Sequence, residues 1–139
     1  MIVPGSQLLK IGEVAQETGL SIKTIRYYDQ LGLLLPSVQR NQAGYRLFQP
    51  VVINRLQFIK KTQSLGLSLK EIKEILDIHD SGAVPCPAIK ECLVKQLAII
   101  DIHINNLHFV KTELQTILSD WQDLESRDQL SQTICPNIK

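Results

Sequence analysis

What the sequence lacks narrows it first. No run approaches eighteen apolar residues, so no segment is expected to span a membrane. The first ten residues, MIVPGSQLLK, carry no apolar core of leader length and no cleavage-like site, so the expected compartment is the cytoplasm. Only three cysteines occur, Cys86, Cys92 and Cys135, an odd and sparse number that builds no disulfide framework. There is no Gly-rich phosphate loop and no nucleophile motif beside a cysteine or histidine, so the chain is not expected to be an enzyme. Glycine and proline are both absent from residue 88 to residue 121.

What is present describes a folded chain of 139 residues, 44% hydrophobic and 21% charged, with room for one compact domain and an appendage. The net charge of +1 conceals a segregation. Residues 1–65 hold eight lysines and arginines against three acids, whereas residues 80–139 hold five against eight. A basic front and an acidic back imply a polyanionic partner for the front only.

The front reads as short helices. Ile11, Val14 and Ala15 share one helical face before a stop at Gly19, and Ser21 is placed to cap a second helix that ends at Gly32. Two short helices about a Gly-containing turn form the helix-turn-helix pattern. Residues 33–48, with Pro36 and the turn tract Asn41-Gln42-Ala43-Gly44, read as a hairpin or wing. Pro50 is read as opening a third helix, and Ser68 with Glu71 as the capping box of a fourth. Residues 81–87, with Pro85 and Pro87, read as a loop.

The uninterrupted stretch from about Ala88 to Trp121 reads as one helix of roughly 50 Å, at about 1.5 Å per residue. Leu93, Leu97, Ile100, Ile104, Leu107, Leu114, Leu118 and Trp121 follow alternating steps of four and three, with Lys111 the one miss. A heptad seam on a helix too long for the front domain to cover points to pairing with a second chain. Folding back on its own domain is the alternative.

The second short helix is the candidate DNA reader, because such a helix meets bases through its first turns. Those turns carry Lys23, Thr24 and Arg26, with Tyr27 behind them. Lys and Arg reach guanine edges or phosphates, Thr a thymine methyl, and Tyr a phosphate. Tyr45 and Arg46 on the wing and Lys60 beyond it extend the surface. Ile22, Ile25 and Leu31 are expected in the core.

The run IGEVAQETGLSIKTIRYYDQLGLLLPSVQRNQAGYRLF, followed by LQFIKKTQSLGLSLKEIKEILDI, resembles the MerR family of transcription regulators across residues 8–78. The anchors include Thr24-Ile25-Arg26-Tyr27-Tyr28, Gly44-Tyr45-Arg46 and Leu65-Gly66, and Asp29 stands where the family usually has Glu. The resemblance implies a mainly α fold. It has a winged helix-turn-helix domain (8–78), then a hinge loop and antiparallel coiled-coil dimerisation helix (79–121), and a C-terminal metal-binding loop (122–139). It further implies a homodimer on a palindromic promoter. An inducer makes the dimer distort the DNA spacer so that RNA polymerase can align both promoter elements.

The short segment behind the long helix resembles the heavy-metal branch. There a Cys at the head of the long helix meets a Cys-containing loop of the other subunit. Cys86 and the Cys135-Pro136 pair match these positions, while the earlier loop cysteine, due near Ser126-Arg127, is absent. Cys92 is either a third ligand or a buried small hydrophobe. His79, His103 and His108 read as surface or core residues. Thiolates imply a thiophilic ion: Zn, Cd, Pb, Hg or Cu(I). The alternative is a redox switch in which Cys86 and Cys135 form a cross-subunit disulfide.

Overall fold

The computed structural model describes residues 7–125 and 133–138. The chain divides into a front unit ending at Gln96 and a back unit starting at Leu97.

The front unit begins with strand β1 (Leu9–Lys10) and helix α1 (Ile11–Thr18). The Lys10 N–H donates to Glu13 Oε1 at 3.1 Å, and Gly19 ends α1 in a left-handed conformation with φ of 74°. Helix α2 (Ile22–Gln30) starts as its sequence implies: Ser21 Oγ accepts from the Thr24 N–H at 3.1 Å. A 3-10 turn (Leu35–Ser37) holds Pro36 and leads into β2 (Val38–Arg40) and β3 (Arg46–Phe48). Helices α3 (Val52–Ser64) and α4 (Leu69–Asp80) follow, the latter with the expected reciprocal Ser68–Glu71 box. Helix α5 (Cys86–Ser119) is the long one.

The wing is a three-stranded antiparallel sheet in the order β1-β3-β2. β1 lies far from the wing in sequence and pairs Leu9 with Phe48 and Lys10 with Leu47. Two residues carry no readable alternation, so only the tertiary pairing reveals this strand.

The core is shared by α1, α2, β3, α3 and α4, with Leu9 of β1 and Val38 of β2 packed on it partly buried. Val14, Ile25, Tyr28, Leu33, Leu34, Phe48, Val52, Leu56, Ile59, Leu67, Ile72, Ile75 and Leu76 are buried together. Ala88, Ile89 and Cys92 pack on them from the first turns of α5. The head of α5 is therefore part of the front unit by packing, not merely by connection.

Four expectations need correction. Ile22 and Leu31 are not core: each keeps over a third of its surface exposed, because Ile25 and Tyr28 alone take the inward face of α2. The third helix starts at Val52 rather than Pro50; Pro50 sits in a turn whose carbonyl accepts from the Ile53 N–H at 3.1 Å. Pro87 lies inside the first turn of α5, where its missing N–H would have had no helical partner. The far end of α5 falls at Ser119, leaving Trp121 just beyond it.

In the back unit, the ladder from Leu97 through Ile100, Ile104, Leu107, Leu114 and Leu118 is exposed, with Leu107 at 69% and Leu118 at 66%. Behind α5, Gln122 and Asn137 join through two hydrogen bonds between the Asn137 side chain and the Gln122 backbone. Ser126 and Arg127, near which the resemblance places an earlier loop cysteine, lie outside the described residues.

Candidate nucleic-acid interface and thiol positions

Helix α2 turns two kinds of residue to opposite sides. Ile25 and Tyr28 anchor it, and Tyr28 OH donates to Gln63 Oε1 on α3. Burial, with Tyr27 nearby, pushes the Tyr28 phenol above its ordinary value, so it stays neutral. Lys23, Arg26 and Tyr27 face outward and are exposed, Tyr27 at 50%. Thr24 is half-buried and serves the cap: besides its N–H, its Oγ1 accepts from the Ser21 hydroxyl at 2.8 Å.

The wing tip is built by Asn41. Its Oδ1 accepts from the Ala43 and Tyr45 N–H groups at 3.0 Å each, and Gly44 adopts φ of 84°. Arg40 Nη1 donates to the Gly44 carbonyl at 2.8 Å. This turn leaves Tyr45 exposed at 71%. Arg46 points back instead, its Nε donating to Asp29 Oδ2 at 2.6 Å. The wing is thereby tied to the outer side of α2.

A cleft of about 660 Å³ opens between α1, α2 and the wing. Arg26, Tyr45 and Arg46 line it together. Lys10, Gln16 and Asn41 line it too, and the sequence singled out none of these for contact. The position of Lys10 beside the wing depends on β1, which is why only the fold exposes it. Lys23, Thr24, Tyr27 and Lys60 lie outside this cleft. Lys60 Nζ reaches the Thr18 carbonyl at 3.5 Å, where a cation suits the end of α1.

Helix α3 is clamped at its base. Arg55 donates from Nε to the Leu33 carbonyl and from both terminal nitrogens to Asp80, at 2.7 and 2.8 Å. The Arg55 guanidinium holds the Asp80 carboxyl below its usual range. His79 approaches the same carboxylate at 3.4 Å. His79, His103 and His108 are all exposed.

The thiols have three different settings. Cys86 is exposed at the head of α5. Cys92, two turns on, is half-buried against the core, and burial with the Glu71 carboxylate beside it pushes its thiol up. With both residues helical, the two sulfurs leave α5 on different sides, at about 100° per residue. Cys135 is half-buried in the tail, with Asn137 Nδ2 donating to its Sγ at 3.7 Å. Among the described residues, no group of three or more His, Cys, Asp or Glu side chains is arranged to hold a metal ion. Among them, too, no helix is long and apolar enough to cross a membrane.

Comparison with known proteins agrees with this layout. A family model described as MerR HTH family regulatory protein matches residues 9–78, and one described as MerR, DNA binding matches residues 53–117. The chain is 33% identical over 108 residues to the mercuric resistance operon regulatory protein of Bacillus cereus, covering 78% of this chain and 81% of that one. Among solved structures it resembles the transcription regulator PbrR691 from Ralstonia metallidurans CH34 in complex with lead(II). The TM-score is 0.74 at 25% identity, over 86% of this chain and 93% of that one. It also resembles MerR from Bacillus megaterium MB1 in complex with mercury(II), with a TM-score of 0.61 at 29% identity over 85% and 90%.

Proposed function

Because the chain belongs to the MerR family of transcription regulators, we propose that it is a metal-responsive regulator that grips promoter DNA as a homodimer in the cytoplasm. The observation that carries this reading is the cleft in which Arg26 of α2 meets Tyr45 and Arg46 of the wing. A helix and a wing that present cations and a phenol on one side match a duplex groove and its flanking phosphates. Lys23, Thr24, Tyr27 and Lys60 extend that surface along α2 and α3. Residues 8–78 act as the DNA-binding domain, 79–121 as hinge and dimerisation helix, and 122–139 as effector loop.

The exposed ladder of α5 supports the dimer. Burying one such side chain is worth about 1.5–3 kcal/mol, and six or more stand open. An antiparallel pair of α5 helices covers them.

The donor chemistry suits a soft ion. Cys86 is accessible at the head of α5, and Cys135 has an amide N–H at its sulfur. Cys86 of one copy and Cys135 of the other hold the ion in this reading. Two thiolates favour an ion content with few ligands, such as Hg or Cu(I), over Zn, which takes four; Pb and Cd need added donors. Cys92 fits poorly, since its side chain packs on the front core beside the Glu71 carboxylate. Held by Cys86 and Cys135 thiolates, an ion would link the two subunits and so favour one of two dimer geometries. That geometry bends and untwists the promoter spacer for RNA polymerase.

The test is transcription and gel-shift measurement with each ion. Arg26→Ala is expected to weaken operator binding and lower the salt slope by about one. Cys86→Ser is expected to bind operator normally and lose induction. Induction that survives in Cys86→Ser removes this cysteine from the site. The exposure of Cys86 also supports a second reading, a disulfide switch with Cys135. If metal protects the thiols stoichiometrically and oxidant leaves transcription unchanged, the redox reading fails.

A further inference from the structure

Asn137 sits two residues beyond Cys135, and its side chain makes three hydrogen bonds, to Gln122 and to Cys135. Oδ1 accepts from the Gln122 N–H at 2.9 Å, and Nδ2 donates to the Gln122 carbonyl at 2.8 Å. One amide thus meets both polar groups of a single backbone residue, as a neighbouring strand would. The second hydrogen of Nδ2 turns to Cys135 Sγ at 3.7 Å. The amide cannot be reversed, because its oxygen would then face the Gln122 carbonyl and its nitrogen the Gln122 N–H.

The clasp joins positions 15 apart in the chain, at the exit of α5 and in the turn that carries the thiol. Cys135 is part of that turn, its carbonyl accepting from the Ile138 N–H at 3.1 Å. Closing so long a loop has an entropic cost, which the clasp settles before any ligand arrives. Both Asn137 and Cys135 are half-buried.

We propose that Asn137 is a positioning residue for the effector site: it fixes Cys135 Sγ relative to the end of α5 and donates an N–H to the sulfur that ligates the ion. The proposal rests on the metal-binding reading of Cys135. Groups that orient metal ligands and hydrogen-bond to them set affinity; their loss typically costs about 10–100-fold. A sulfur with an N–H already aimed at it loses less freedom on binding. The residue type matters, because Asn137→Asp has the same shape but neither donor hydrogen.

The experiment uses the full chain with Hg(II) as probe, in competition with a small thiol. Wild type, Asn137→Asp, Asn137→Ala and Cys135→Ser are compared. Three quantities are read: hydrogen exchange at the Gln122 amide without metal, Hg(II) affinity, and the ultraviolet sulfur-to-mercury charge-transfer band. Both Asn137 variants are expected to speed Gln122 exchange, weaken Hg(II) about tenfold and shift or weaken the band, while operator binding is unchanged. If Gln122 exchange rises but affinity and band stay at wild-type values, the residue only closes the loop and the proposal is overturned. Unchanged exchange overturns it as well. Cys135→Ser separates the two levels. If it binds Hg(II) like wild type, the metal-binding reading fails and the proposal fails with it. If it weakens binding while the Asn137 variants do not, only the role of Asn137 is lost.

Discussion

Arg46 Nε lies 2.6 Å from Asp29 Oδ2, so an acidic residue of α2 holds the basic residue of the wing. Both side chains are largely withdrawn from solvent, at 19% and 13% exposure. If Asp29 acted on DNA only through its charge, removing it would tighten binding. The pairing reverses that sign. Asp29→Ala is expected to weaken operator binding and to cost about 1–3 kcal/mol of stability by leaving Arg46 unpaired. Gel shift and thermal melting check both; tighter binding would show that the pair does not position the wing.

Gly66, in the turn between α3 and α4, has φ of 96°. A Cβ there would also lie 2.8 Å from Cδ of Gln96 on α5. Gly66→Ala is expected to destabilise the front unit by about 1–2 kcal/mol, mainly through the left-handed backbone. The Gln96 side chain can swing aside, so adding Gln96→Ala should restore only a minor part. Denaturant melts of the single and double variants separate the backbone and contact contributions.

Asp80 gives the front unit a defined acid sensitivity. Its folded-state carboxyl is held below the unfolded value, first by the hydrogen bonds from Arg55. Stability from the pair is therefore complete above the unfolded value of about 4 and is lost as pH falls below it towards the folded value. Glu71 adds in the same direction through its bonds with Ser68. Asp80→Asn is expected to be less stable at pH 7 and to show a shallower fall in melting temperature between about pH 5 and pH 2. A curve parallel to wild type would remove Asp80 as the cause.

The three thiols should separate by reactivity. Cys86 is exposed at a helix head, whereas burial and the Glu71 carboxylate both push the Cys92 thiol up. In metal-free protein, iodoacetamide is expected to label Cys86 first and Cys92 last, read by peptide mass spectrometry. Glu71→Gln should speed labelling at Cys92. Equal rates at Cys86 and Cys92 would contradict their different settings.

Local chemistry made much of this fold legible. Ser21, Gly19 and the Ser68–Glu71 box act within a few residues, so their roles can be read directly from spacing. The period of α5 was equally plain, apart from its first turn, where Pro87 reads as a breaker but sits at a tolerated position. Non-local facts were hidden. β1 exists only because Phe48 and Leu47 pair with it. Ile22 and Leu31 look like core by residue type, yet α2 buries a narrower face. Arg46 reads from sequence as a DNA contact, and no spacing announces its bond to Asp29. The clasp of Asn137 on Gln122 likewise joins residues that only folding brings together.

The placement of Ala88, Ile89 and Cys92 on the front core has a consequence during synthesis. The front unit ends at Gln96, so its last packing residues leave the ribosome before the greater part of the exposed ladder emerges. Domains fold in order of emergence. The front unit can therefore begin to fold while the sticky part of α5 is still held inside the ribosome, which shortens the time that a half-folded core and a bare apolar helix are exposed together on one nascent chain.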